Sequence, residues 1–296
     1  MSTSKKFLVT AAAGDTSSKT VSELLRNGHQ VRALVRKLDD RSDKLKKQGA
    51  EVIVGDLLVL NDVKAALEGI HGAYFCFPLA PGIVTATAYF AQAAKENSVK
   101  IIVNMSQQPA RYDAQSVASQ NHFIAERLFD WSGVPTVHIR PGLFTEWYIY
   151  PGFIEGILES DVLRLHLGPY GKHAPIAVAD LARFISALLE QPGSHHGKTY
   201  VLNGPVELDY YAIADALSKG LGRKITYQPM SPEDFRQFTE LNGLHPYLAQ
   251  HLTSLISDFK NGIFAGKDEI IAEVTGKPPM TVEEWAKENR DLLTKN

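Results

Sequence analysis

A single cysteine, Cys76, is all the thiol this chain carries. That excludes an internal disulfide framework and fits a reducing compartment. Cys76 lies in the apolar run AYFCF, where a buried, inert thiol is expected. No run reaches the roughly 18 apolar residues of a membrane-spanning helix. The N-terminal stretch MSTSKKFLVT has neither the apolar region nor the small-residue cleavage site of a secretory signal. A cytoplasmic protein without membrane association is therefore expected. An excess of one charge sign is missing too: the formal net charge is −2 over 296 residues. Outside short clusters such as Lys44–Lys47, bases are interspersed with acids, so nucleic acid is not an expected partner. There is no fixed-period repeat, low-complexity tract or GxSxG elbow of a hydrolase. His195-His196 has no matching cysteine and His166 and His173 have no ligand spacing, so no metal is expected.

What is present is apolar sequence, 44% of the chain, in a regular alternation. Short runs (Phe7–Val9, Val31–Val35, Val52–Val54, Ala73–Phe77, Ile101–Val103 and Thr136–Ile139) are separated by helical patterns. The helices are expected near 17–27, at Leu45, and near 63–67, 84–97 and 119–131. Near-continuous apolar strands between helices predict a parallel sheet covered on both faces. The fold class is thus α/β, a doubly wound Rossmann-type sheet over residues 1–141 with a smaller α/β lobe over 142–296. Some segments of the lobe are expected to return to the sheet. The lobe is read from a helix at 178–189, strands at 199–202 and 225–227, a helix at 209–217 and a largely helical last 60 residues. In such sheets ligands bind beyond the carboxyl ends of the strands.

The turn after the first strand reads Thr10-Ala11-Ala12-Ala13-Gly14-Asp15-Thr16-Ser17. Small residues ahead of a helix N-terminus let a backbone approach a pyrophosphate; the same turn also serves simply to pack a helix on a sheet. The second strand ends in Arg36-Lys37, where an NAD site has an acidic residue for the ribose. A guanidinium there suits a 2′-phosphate, the alternative being a solvated basic pair. Gly55-Asp56-Leu57, ending the third strand, is placed for adenine contact, for capping the next helix, or for both.

Taken in order, TAAAGDTS, LVRK, GDLLVLNDVKAAL, NMSQQ and IRPGLFTEW resemble the NmrA-like family of atypical short-chain dehydrogenase/reductases. VADLARFISALL, GKTYVLNGP and the stretch from YYAIADAL to GRKITY resemble that group's substrate lobe. The resemblance implies NADP(H) as cofactor. Thr10, Ala11, Gly14, Asp15 and Thr16 would line the pyrophosphate, Arg36 and Lys37 the 2′-phosphate, and Asp56 and Leu57 the adenine. Pro78, Ser106 and His122 would border the ribose and nicotinamide, with Pro141 and Phe144 at the nicotinamide edge. Ala11 and Ser17 replace the first and last glycines of the family loop. An ordinary negative φ is expected at Ala11, and a capping or phosphate contact at Ser17.

Related reductases use a Tyr and a Lys at YxxxK spacing. Here His122 and Glu126 stand at that spacing, on one helical face. His122 is a proton relay or nicotinamide-ribose contact; alternatively it is a polar helix residue with Glu126 as its solvated partner. Tyr112, after the fifth strand, is the tyrosine placed to donate from that side. Phe144, Trp147, Tyr148 and Tyr150 either stack on a flat acceptor or form lobe core. The leading expectation is an NADPH-dependent oxidoreductase passing hydride to a quinone or similar small conjugated carbonyl or imine. The alternative is an NADP(H)-binding redox sensor without turnover, acting through a partner protein. The helices near 84–97 and 119–132 either cover the sheet or pair in a homodimer.

Overall fold

A computed structural model describes residues 4–169 and 171–294; the first three and last two residues of the expected domains lie outside them. The chain forms two compact units. The first comprises residues up to Ala114, Ala118–Arg140 and Leu181–Val201. The second comprises Gln115–Val117, Pro141–Asp180 and residues from Leu202 onward.

Strands and helices alternate through the first unit: Lys6–Val9 (β1), Asp15–Arg26 (α1), Gln30–Val35 (β2), Asp40–Lys47 (α2), Glu51–Val54 (β3) and Leu60–Leu67 (α3). Gly72–Phe75 (β4), Ile83–Glu96 (α4), Ile101–Met105 (β5), Val117–Ser132 (α5) and Thr136–Pro141 (β6) follow. Next come Ile154–Ser160 (α6), Val162–Leu165 (β7), Val178–Glu190 (α7) and Thr199–Leu202 (β8). The seven-stranded sheet has the order β3-β2-β1-β4-β5-β6-β8, and its first six strands pair in parallel. Every residue of β4 and β5 is buried, as a sheet with apolar cover on both faces requires. On one face Phe75 packs against Phe90 at 4.8 Å and Phe129 at 5.2 Å. Strand order reverses between β1 and β4, so the crevice of this fold opens beyond their carboxyl ends.

β4 stops at Phe75 and does not reach Phe77 as its apolar run suggested. The Cys76 N–H donates to Thr10 Oγ1 at 2.8 Å, which takes it out of the ladder. Pro78 then offers no N–H at all. α3 and α5 begin earlier than the apolar spacing indicated, because their first turns are exposed or polar and carry little periodicity.

The second unit continues with Tyr210–Leu221 (α8), Thr226–Pro229 (β9), Pro232–Leu241 (α9), Pro246–Lys260 (α10), Ile270–Thr275 (α11) and Val282–Glu288 (α12). β7, which the sequence pattern does not announce, pairs in parallel with β9. α8 runs through Gly220, a residue that reads as a stop signal. A Cβ there would come within 2.6 Å of Ala286 Cβ and Glu283 O, so Gly220 lets α12 approach. Helix starts carry side-chain caps: Asp209 for α8, and capping boxes at Ser231 and Thr281 for α9 and α12, each contributing ~1 kcal/mol. At the centre of this unit the Glu146 carboxylate accepts from Val178 N, Thr145 Oγ1 and Trp285 Nε1 at 3.0–3.2 Å. Burial raises its pKa.

Three imidazoles lie in the second unit's interior. His166 stacks on Phe235 at 3.9 Å, His173 packs against Tyr210 and Phe259, and His251 shares a hydrogen bond with Ser116 Oγ. Burial pushes His166 and His173 down to about 3 and His251 down to about 4. Below the ordinary value of 6.5, only the unfolded chain takes up these protons. Stability is therefore complete above that value and falls as pH drops through it. Across the two pH units centred on that value each imidazole costs ~1.4 kcal/mol in all, so the three together should cost roughly 4 kcal/mol between about pH 7.5 and about pH 5.5. Denaturant unfolding followed by tryptophan fluorescence measures this; a flat profile would mean that these rings are solvated.

Candidate functional site

Beyond β1 the chain turns in a short loop into α1. Thr10 is fully buried. Its N–H donates to Tyr74 O at 3.1 Å, and its hydroxyl donates to Cys76 O and accepts from Cys76 N, each at 2.8 Å. Thr10 therefore joins β1 to β4 and does not present its side chain to a phosphate. Ala11 follows with φ +46°, in the left-handed region and not at the ordinary negative φ expected of an alanine. The loop geometry demands the conformation its glycine-bearing counterparts adopt freely. Ala12 N–H donates to Leu34 O, and Gly14 N–H to Ala11 O at 2.9 Å. A Cβ on Gly14 would stand 3.2 Å from Ala11 O, so the turn leaves little room for a side chain there.

Gly14 is the N-cap of α1 and supplies no side-chain cap, leaving the first-turn N–H groups and the positive dipole end to a ligand. Asp15 lies in that first turn. Thr16, 9% exposed, accepts a hydrogen bond from Tyr74 Oη at 3.2 Å. Ser17 neither caps the helix nor faces outward; it is 1% exposed. Cys76 is half-buried as a residue, but desolvation of its sulfur pushes the thiol pKa up.

A cleft beside this loop is lined by Ala11, Arg36, Asp56, Leu57, Phe77 and Pro78, all in the first unit. Arg36 and Lys37 are exposed at the end of β2. Among the described residues neither forms a hydrogen bond or ion pair, whereas nearby Arg41 and Arg32 are committed to Asp39 and Glu51. Asp56 does not cap α3, whose N-cap is Val59. Its Oδ1 accepts from Leu58 N, and its own N–H donates to Asp62 Oδ2, both at 2.9 Å. This is a side-chain turn, and Asp56 lines the cleft. Leu57 is buried and Pro78 exposed. A helix N-terminus without a cap, a crowded glycine and an uncommitted guanidinium fit an elongated anionic ligand.

Glu126 overturns the expectation of a solvated partner for His122. It is fully buried. Arg140 clamps it, Nε to Oε1 at 2.8 Å and Nη2 to Oε2 at 2.5 Å, and Ser106 Oγ donates to Oε1 at 2.5 Å. The carboxylate in turn raises the Arg140 pKa. Arg140 had no sequence signal beyond its position at a strand end. Such a clamped carboxylate positions β5, α5 and β6 and is poorly suited to exchange protons. His122, one turn earlier on α5, is 7% exposed. Tyr112 is 78% exposed, its ring 6.5 Å from that of Phe123. His138 on β6 bridges Asn104 on β5 and Asp130 on α5.

In the second unit Tyr148 is 1% exposed and edge-on to Trp285, so it is core and not an acceptor contact. Trp147 and Tyr150 are partly buried against the same core. Phe144 is half-buried and bridges to Ile176, and Pro141, closing β6, is buried. Among the described residues no group of His, Cys, Asp and Glu side chains is arranged to hold a metal ion, and no helix is long and apolar enough to cross a membrane.

Sheet order, crevice and loop define a doubly wound α/β protein of the Rossmann type. The chain belongs to the NmrA-like family, which it matches over residues 3–286. It is similar to the NAD(P)H azoreductase of Xenophilus azovorans, 28% identical over 281 residues covering 95% of this chain and 96% of that one. Among solved structures, the NADPH-dependent quinone oxidoreductase of Escherichia coli, complexed with NADPH, shares the fold with a TM-score of 0.81 at 24% identity, over 95% of this chain and 99% of that one. NmrA, a negative transcriptional regulator in complex with NADP, shares it with a TM-score of 0.79 at 16% identity, over 98% and 96% of the two chains.

The left-handed alanine yields a stability test. Ala11→Gly relieves the side-chain clash at positive φ and should stabilise the protein by ~0.5–1 kcal/mol. Ala12→Gly, in the same loop at a position without positive φ, should destabilise it. A fall in thermal midpoint for Ala11→Gly like that for Ala12→Gly would show that Ala11 is not strained.

Proposed function

We propose that this protein is an NADPH-dependent oxidoreductase that passes hydride to a quinone or a similar small conjugated carbonyl or imine. The observation that carries the reading is Arg36, exposed at the cleft and without a partner among the described residues. A guanidinium in that position suits a 2′-phosphate, which NADPH has and NADH lacks. The azoreductase relative supports the same reaction class. NADPH, when bound, supplies the hydride; the chain binds, orients and keeps water out.

In this reading Gly14, Asp15, Thr16 and the α1 N-terminus hold the pyrophosphate, with Ala11 shaping the turn. Arg36 and Lys37 take the 2′-phosphate, and Asp56, Leu57 and Pro78 border the adenosine. Ser106 and His122 border the nicotinamide half, with His122 as proton relay and Tyr112 as donor on the open side. Pro141 and Phe144 are the second unit's candidates for the nicotinamide edge, and Phe144, Trp147 and Tyr150 its candidates for holding a flat acceptor. The single cysteine suits work in the reducing cytoplasm. A second reading, a cofactor-binding sensor acting through a partner protein, is favoured by the clamped Glu126 and the core position of Tyr148, which leave fewer groups to move a proton.

Calorimetric titration should give NADPH binding preferred over NADH by about 10- to 100-fold, the worth of one or two charge-assisted hydrogen bonds. Arg36→Ala should abolish that preference while sparing NADH affinity. Quinone-dependent loss of NADPH absorbance supports the enzyme; binding without consumption for any quinone, azo or carbonyl acceptor supports the sensor. Absence of NADPH binding would sink both.

A further inference from the structure

Tyr74 stands in the middle of the sheet, fully buried on β4, where a phenylalanine would fill the space without a polar atom. Its hydroxyl reaches under the phosphate-side loop to Thr16 Oγ1 at 3.2 Å, and Thr16 sits in the first turn of α1. Thr16 carries the adjoining turn as well: its carbonyl accepts from Thr20 Oγ1 at 2.8 Å. A threonine hydroxyl has one proton to donate and lone pairs to accept with. A phosphate oxygen only accepts, so Thr16 must donate outward to hold one, which leaves its lone pairs to accept from a donor behind it. Tyr74 is that donor.

We infer that Tyr74 is a positioning residue for the pyrophosphate of the bound dinucleotide, acting through Thr16 by turning the Thr16 proton toward the phosphate oxygens. The inference rests on the NADPH reading above and extends it to a residue the loop motif does not contain. Burial holds the phenol protonated, so its proton is available throughout the neutral range. The chain from phenol to threonine hydroxyl to phosphate oxygen polarises each bond in the same sense, which strengthens all of them. Of the loop's other hydroxyls, Thr10 is closed off by its two bonds to Cys76 and Ser17 is 1% exposed, leaving Thr16 as the side-chain donor that the loop offers.

The test is a double-mutant cycle read by calorimetry with two probes. NADPH contains the pyrophosphate; adenosine 2′-monophosphate contains the adenine and 2′-phosphate but nothing that reaches α1. Tyr74→Phe should weaken NADPH by about threefold to tenfold, the range for one hydrogen bond oriented toward a charged group, and leave adenosine 2′-monophosphate unchanged. Thr16→Ala should weaken NADPH at least as much, and Thr16→Ser should restore most of the loss. In the Thr16→Ala background, Tyr74→Phe should change NADPH affinity by less than about twofold, because its intermediary is gone. Equal weakening of both probes, or full additivity of the two substitutions, would overturn the inference and leave Tyr74 a packing residue. If the unsubstituted protein binds neither probe, the cofactor reading itself fails, an outcome separate from failure of the Tyr74 assignment.

Discussion

Thr10 and the main chain of Cys76 hold the two central strands together at the point where the sheet reverses its order. A side-chain hydroxyl that both donates to and accepts from one residue 66 positions away in sequence ends β4 early and fixes the height of the loop above it. Everything at the crevice depends on that height. With β4 released at Phe75, Phe77 and Pro78 wall the cleft that Arg36 and Asp56 share. With Thr10 pinned, the turn into α1 is so short that Ala11 must take a positive φ. The strain at one alanine and the uncapped N-terminus of α1 are consequences of the same tight connection.

Buried charge is handled differently in the two units. In the first, Glu126 meets Arg140 through both carboxylate oxygens and Ser106 through one. A bidentate pair of this kind offsets the desolvation of its members and makes either one costly to remove alone. In the second, Glu146 is held by a main-chain N–H, a hydroxyl and the Trp285 indole, and burial shifts it toward its neutral form. The neutral imidazoles of His166 and His173 belong to the same low-dielectric interior. One unit fixes strand ends with an ion pair, while the other is organised around polar groups that burial keeps from charging.

Much of the architecture was legible along the chain. The strands from Phe7 to Ile139 are runs of apolar residues between helical patterns, and both signals are local. Arg36 was legible for the same reason, since it follows the last apolar residue of β2 and the end of a strand is where such a sheet binds. β7 and the short helices after Pro141 were not, because aromatics, glycines and a proline there give no clean period. Tyr148 shows the limit for single residues. An aromatic in a cluster reads alike whether it faces a ligand or, as here, the indole of Trp285 far along the sequence.

The sequence alone determined the α/β alternation, the parallel sheet, the loop of small residues and the basic end of β2, since each is a property of neighbouring residues. Only the tertiary structure decided that Ala11 is left-handed, that Thr10 faces inward, that Glu126 belongs to Arg140, and that Tyr74 stands behind Thr16 across 58 positions of chain. Those outcomes depend on which atoms two distant segments bring within hydrogen-bonding reach. Hydrophobic periodicity sets which face of a strand or helix turns inward, but not which polar group it meets there.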